Sequence, residues 1–335
     1  MELVDVPEPH EPGPGEVIVG SMAVGICGSD YHFFSGHLTA EAGGGDKAFP
    51  KIQGHEVAGR VVAAGEDCSP ELEPGRAVAL YPLSSCGECY PCRAGRPNTC
   101  DNFQLIGIHV DGGLQERLLM PADHVFPIDE DDLGVAAMAE PISIGVRAVR
   151  RGRIGAGDRV VVLGGGPIGQ SVCLLARERG AEVLVVDPQD TRLALSRHMG
   201  ADAMRWTTAD EVVRSAREWA GGEGVPVAVD ATGVPQAVRA AVDMAASAGR
   251  VVQVGMSGDE VALRVGSFTE KELDMLGVCC CGGGEFAEAV AAVERNADTV
   301  RRLISHEFEL ERAPEAIDFA MSNPSEVMKV VIRGA

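Results

Sequence analysis

Four cysteines between residues 86 and 100 constrain this chain more than any other stretch. The segment SSCGECYPCRAGRPNTC places Cys86, Cys89, Cys92 and Cys100 with two, two and seven residues between them. Thiolates two residues apart sit on one tight turn, and a fourth from a returning loop completes a tetrahedron around zinc. Gly87, Pro91, Gly95 and Pro97 supply the turns that such wrapping needs. Disulfides suit an oxidising compartment, and the chain shows no export signal. An iron–sulfur cluster shares the first two spacings, but its next cysteine follows after about three residues and precedes proline. Cys100 comes later and precedes Asp101. Four unrelated thiols is the remaining reading. The spacing favours zinc, and four protein ligands make a closed, structural site.

With 335 residues, two domains are expected. A chain that is 45% hydrophobic and 24% charged fits a globular protein with a sizeable core. The net charge of −21, from 50 acidic and 29 basic residues, argues against nucleic acid or an anionic membrane as partner. The opening MELVDVPEPHEPGPG lacks the apolar core of a signal peptide. The longest apolar stretch, 160–176, is interrupted by glycines and Pro167, so no membrane span is expected. A cytoplasmic protein follows as the expectation.

From Glu16 to Ala64 short β-branched runs predict strands, separated by a glycine-rich loop, AEAGGGDKA. Two stretches here carry chemistry: GICGSDYH, from Gly25 to His32, and GHE, from Gly54 to Glu56. Cys27 alone reads as a small buried residue, His55 as a core histidine and Glu56 as a strand carboxylate. Together, thiol, imidazole and carboxylate are the mixed ligand set of a catalytic zinc with an open position. Adjacent strand residues face opposite ways, so His55 and Glu56 share a metal only if the backbone turns, and Gly54 allows that. In AEPISIGVRA, Pro141 suits a first helical turn, which puts Glu140 at the N-cap or just before it. There it either caps the helix or serves as a further ligand or base.

From Arg159 the periodicity changes. RVVVLGGGPIGQ is an apolar strand running into Gly164, Gly166, Pro167, Ile168 and Gly169, followed by an apolar helix. The next strand, EVLVVD, ends at Asp187, 18 residues after Gly169. That context turns a weak glycine motif into a strong dinucleotide-binding one. The glycines admit a pyrophosphate to the helix N-terminus. Asp187 can accept both ribose hydroxyls, which favours NAD over NADP. Further alternation, with helices near 209–220 and 236–246 and strands at 225–233 and 250–255, predicts a doubly wound parallel sheet.

Taken together, GICGSD, GHE, the Cys86–Cys100 lobe, AEP and the glycine fingerprint resemble the zinc-dependent medium-chain dehydrogenase/reductase family over essentially the whole chain, in its polyol, sugar-acid and threonine dehydrogenase branch. The resemblance implies a partly open, GroES-like β-barrel catalytic domain over 1–139 and 283–335. It also implies a central Rossmann domain over 140–282 and a cleft between the two. Carried over residue by residue, Cys27, His55 and Glu56 match the catalytic zinc ligands. Glu140 matches a glutamate that exchanges with water at the metal or contacts substrate. Ser29 and His32 match the proton relay, and Asp30 matches the carboxylate that supports the ligating imidazole. Ile168, Asp187, Arg192, Val254, Gly255 and Met256 match cofactor contacts. A homodimer or homotetramer is implied as well.

The chain also departs from the pattern. Family members begin with another strand before the equivalent of Glu2, which points to a shortened start here. Sorbitol-type enzymes carry a tyrosine at Phe33 and an arginine–tyrosine pair near Cys280 and Cys281, which argues against sorbitol itself. GIHVDGG, from Gly107 to Gly113, is similar to bacterial dehydrogenases of galactonate- or gulonate-like acids, although His109 also reads as an ordinary loop histidine. The expected function is oxidation of a secondary alcohol of a polyol, sugar acid or related hydroxy compound, with two zincs per chain and NAD. An L-threonine 3-dehydrogenase would share the Cys27, His55, Glu56 set, and a non-catalytic NAD-binding protein is the alternative of another class.

Overall fold

A computed structural model describes residues 1–35 and 49–334. The glycine-rich loop AEAGGGDKA lies outside the described residues. The chain divides into two compact units, one built from residues 1–143 and 282–335, the other from 144–281.

The first unit opens with β1 (Glu16–Gly25), the short helix α1 (Gly28–Phe34) and β2 (Glu56–Ala64). β3 (Ala77–Leu80) follows, then a small lobe made of β4 (Leu83–Ser84), α2 (Tyr90–Arg93) and β5 (Gln104–Leu105). β6 (Arg117–Pro121), β7 (Val125–Pro127) and α3 (Leu133–Ala137) complete its first segment, and α4 (Ala139–Arg151) carries the chain onward. Asp132 caps α3, its carboxylate accepting from the Gly134 N–H at 2.9 Å.

The second unit is a regular alternation. Its strands are β8 (Arg159–Leu163), β9 (Glu182–Asp187), β10 (Asp202–Arg205), β11 (Val225–Asp230), β12 (Ala245–Gln253) and β13 (Asp274–Gly277). Between them run α5 (Pro167–Glu178), α6 (Asp190–His198), α7 (Ala209–Trp219), α8 (Pro235–Met244) and α9 (Gly266–Lys271). All five strand pairings are parallel, in the order β10-β9-β8-β11-β12-β13. Strand order reverses between β8 and β11, and in such sheets that reversal marks where a dinucleotide binds. The core strands are apolar on both faces: Val160 through Leu163 are all fully buried, as a sheet covered by helices requires. The class expected from the sequence, a mostly antiparallel barrel-type sheet plus a doubly wound parallel sheet, is what the chain adopts.

The chain then returns to the first unit through α10 (Gly283–Arg295), β14 (Ile304–Glu309) and β15 (Lys329–Arg333). Among the described residues, seven strands form the first unit's sheet, with β1 near its centre. One side of β1 pairs with β2; the other pairs with β6 over its first half and with β15 over its second. The last strand thus lies directly beside the first. Among the described residues no helix is long and apolar enough to cross a membrane.

Phe286 on α10 pins the returning segment to the opening one. It is fully buried, with ring centroids 5.5 Å from Tyr81 and 5.1 Å from Phe126. Phe286→Ala should destabilise the protein by about 3–5 kcal/mol, read as a lowered urea midpoint. A shift below about 1 kcal/mol would show that the two segments are held together elsewhere.

Candidate metal and cofactor sites

The densest polar cluster of the first unit stands where β1 ends and β2 begins. Cys27 immediately precedes α1, and its N–H donates to the Asp30 carboxylate at 2.8 Å. Asp30 is fully buried and its Oδ1 faces His55 Nδ1 at 3.6 Å. Among the described residues neither atom has a hydrogen-bond partner in the strict sense. With Nδ1 turned to a carboxylate, His55 presents Nε2 outward, the usual arrangement of a metal-binding imidazole. Ser29 Oγ lies 3.4 Å from that Nε2.

Gly54 resolves how His55 and Glu56 face one place. Its φ of +95° belongs to the left-handed region, and β2 starts only at Glu56. A Cβ at Gly54 would fall 2.6 Å from Val24 Cγ1. The chain therefore turns before the strand begins, and the ligand atoms of Cys27, His55 and Glu56 all lie within 4.8 Å of one another. Gly25 pairs with Glu56 across the sheet, and a Cβ there would stand 2.1 Å from Glu56 Oε2. The missing side chain is the space that the carboxylate fills.

Reading the residues alone misses Lys329. This lysine of β15 is buried, and its Nζ contacts both Glu56 oxygens at 2.6 and 2.7 Å and the Ile26 carbonyl at 3.0 Å. Burial lowers its pKa, and the Glu56 carboxylate more than reverses that, so it stays charged. Only its place within the apolar run VMKVVI hinted at it, and a lysine there fits a surface strand equally well. Tyr31, also unmarked in the sequence, sits in the same field, and burial pushes its phenol up to about 12.

Glu140 is the second residue of α4, slightly further into the helix than the N-cap expected from Pro141. It is buried, and desolvation raises its carboxyl to about 7; His55 opposes that and Glu56 adds to it. For His55, burial favours the neutral ring, but the Asp30 carboxylate and Cys27 sulfur outweigh it and raise its pKa. His32 is exposed at the last turn of α1.

In the small lobe Cys86, Cys89, Cys92 and Cys100 form a second group, this one of four donors. Sulfur separations are 3.4 Å for Cys89–Cys92, 3.7 Å for Cys89–Cys100 and 3.4 Å for Cys86–Cys100. Ligands about 2.3 Å from a tetrahedral zinc stand about 3.8 Å apart, so the four sulfurs fit that ion closely. The N–H groups of Cys86 and Asn102 both donate to Cys100 Sγ at 3.3 Å, as suits a thiolate. The donors of both clusters fit zinc.

In the second unit, Gly166 precedes α5, Pro167 opens it and Ile168 is half-buried beside them. Gly164 has φ +97°, and a Cβ at Gly169 would lie 1.8 Å from the Gly164 carbonyl oxygen, so helix and strand meet only through glycine. Asp187, at the end of β9, accepts from Gly165 N–H at 2.7 Å and Gln189 N–H at 2.8 Å, with Arg192 3.6 Å away. Val254 and Gly255 donate to the Asp230 carbonyl at 2.9 and 3.0 Å, and Met256 beyond them is exposed.

Comparison with known proteins agrees with this architecture. Residues 13–130 match the alcohol dehydrogenase GroES-like domain and residues 167–295 the zinc-binding dehydrogenase domain. The chain is 31% identical to the L-galactonate-5-dehydrogenase of Escherichia coli K12, over 96% of this chain and 92% of that one. It is 29% identical to the sorbitol dehydrogenase of Bacillus subtilis 168, over 99% and 93%. A zinc-binding dehydrogenase of Sinorhizobium meliloti 1021, solved with NADP, superposes with a TM-score of 0.86 at 33% identity, covering 98% of this chain and 94% of that one. The chain belongs to the zinc-type medium-chain dehydrogenase/reductase family, an enzyme family that uses zinc and a nicotinamide cofactor.

Lys329→Met leaves the buried Glu56 carboxylate without its cation, which should cost about 3–5 kcal/mol. Adding Glu56→Gln should recover a large part of that loss. Urea unfolding of the single and double variants tests it, and a double variant no more stable than the single one would dismiss the pair as a structural determinant.

Proposed function

We propose that this protein is a zinc-dependent NAD oxidoreductase that oxidises a secondary alcohol of a polyol, sugar acid or related hydroxy compound. The observation that carries the reading is the convergence of Cys27, His55 and Glu56 within 4.8 Å, backed by the buried Glu140. The L-galactonate and sorbitol relatives support the substrate class.

Cys27, His55 and Glu56 would hold the catalytic zinc, with Glu140 as a further donor or a substrate contact. When bound there, zinc would supply the Lewis acidity that lowers the pKa of an alcohol, and a nicotinamide cofactor would supply the hydride acceptor. Asp30 orients the His55 ring. Ser29 Oγ takes the proton from the substrate hydroxyl, and His32, one helical turn on, carries it to solvent. Lys329 balances the Glu56 charge, so the metal pocket does not hold two unpaired carboxylates. Cys86, Cys89, Cys92 and Cys100 would hold a second, structural zinc. Gly164, Gly166, Pro167 and Gly169 admit the cofactor's pyrophosphate, with Ile168, Val254, Gly255 and Met256 lining the remainder. Asp187 favours NAD, because its carboxylate would repel the extra phosphate of NADP. Arg192, 3.6 Å from Asp187, is the group that would take up that phosphate once Asp187 is removed.

Metal analysis should give two zincs per chain, falling to one in Cys27→Ser. That variant should retain less than about one hundredth of wild-type turnover, since even residues behind the ligands cost 10–100-fold, while NAD binding persists. A zinc-replete Cys27→Ser enzyme turning over normally would end the assignment. A panel of aldonates, hexitols and threonine, followed by nicotinamide absorbance, reads the substrate class; turnover of threonine alone would replace the polyol and sugar-acid reading. Asp187→Ala should lower the preference for NAD over NADP, measured as the ratio of kcat/KM values, by at least about tenfold, ~1.4 kcal/mol.

A further inference from the structure

The run Cys279-Cys280-Cys281 takes no part in the reaction proposed above. It follows β13 and ends immediately before Gly282, which precedes α10. Adjacent side chains on extended backbone point to opposite faces, so neighbouring thiols do not ordinarily share a ligand. Here Cys280 has φ +44°, in the left-handed region that side chains other than glycine rarely adopt. The alternation breaks, and the Cys279 and Cys280 sulfurs stand 3.8 Å apart. Cys279 is exposed and Cys280 half-buried, whereas Cys281 is packed in the interior.

Two geometric facts decide what such a pair can do. Sulfurs sharing one tetrahedral centre at about 2.3 Å are about 3.8 Å apart, the separation already present. A disulfide brings sulfurs to about 2.05 Å and usually spaces its Cα atoms about 4.4–6.8 Å apart, so joining neighbours whose Cα atoms a trans peptide holds at about 3.8 Å is strained. The pair is set to be bridged through a third atom rather than joined directly. Among the described residues no further histidine, cysteine or carboxylate joins it in a three-donor group, unlike the two zinc-type clusters. Two sulfurs at this spacing are the full donor set of a centre that takes only two. The Cys280 thiol, helped by the Arg147 guanidinium, holds Cys279 down to about 7, so thiolate is present at neutral pH.

We propose that Cys279 and Cys280 form a bidentate dithiol site for soft, thiophilic centres of the trivalent arsenical class. With a monosubstituted arsonous acid, R–As(OH)2, each thiol gives its proton to one hydroxyl. Two As–O bonds break, two As–S bonds form and two waters leave, with no change of oxidation state.

The test uses the full zinc-loaded chain and phenylarsine oxide at one equivalent, read by intact mass, thiol titration and zinc content. Wild type should gain one phenylarsine and lose two titratable thiols with its zinc retained, and a competing dithiol should reverse this. Cys279→Ser and Cys280→Ser should each bind at least tenfold more weakly. Full binding by the Cys279→Ser/Cys280→Ser double variant, or zinc released in step with binding, would place the arsenical on other cysteines and overturn the proposal. Diamide followed by peptide mapping supplies an independent arm: no Cys279–Cys280 disulfide is expected, and its ready formation would overturn the bridging geometry.

Discussion

A single buried ion pair, Lys329 with Glu56, links the first unit's architecture to its chemistry. Both side chains are almost wholly removed from water, and an ionised carboxylate in that setting is tolerated only with a cation at hand. Its position follows from the sheet. β15 lies beside the second half of β1, and β2 lies on the other side of β1. The lysine therefore reaches from β15 to Glu56, whose carboxylate fills the space that Gly25 leaves by having no side chain. The Glu56 carboxylate, the strand order and one glycine are thus one arrangement.

The two zinc-type clusters are built on opposite plans. The four thiols of the small lobe come from a stretch of chain only as long as Cys86–Cys100, shaped by its own turns. The mixed cluster draws on the residues after β1, the turn before β2 and the start of β2, so it exists only once the sheet is assembled. The local cluster can keep its shape with little help from elsewhere; the assembled one inherits its precision from the barrel-type core beneath it.

That difference also explains what could be read from the sequence. The cysteine lobe and the glycine fingerprint were legible because each is a local pattern whose spacing reflects its geometry, and the parallel sheet followed from strand and helix periodicity. Cys27, His55 and Glu56 were legible as residue types, through resemblance, while their convergence depended on the conformation of Gly54. Lys329 was not legible at all. It is 273 residues from Glu56, and a lysine within an apolar strand has no local signature that distinguishes a buried partner from a surface charge. The helix start at Glu140 was off by a small margin because Pro141 fits several positions of a first turn.

The separation of that pair along the chain has a consequence for the order of events during synthesis. Glu56 emerges from the ribosome well before Lys329. At roughly 5–20 residues per second, the 273 residues between them take between about 14 and 55 seconds to make. Throughout that interval the nascent first unit has the carboxylate but not its counter-charge, and β1 has an open edge where β15 will lie. The central unit is fully translated meanwhile and can fold around its own parallel sheet. The Glu56 carboxylate therefore waits for its cation until β15 has emerged, long after the strands around it.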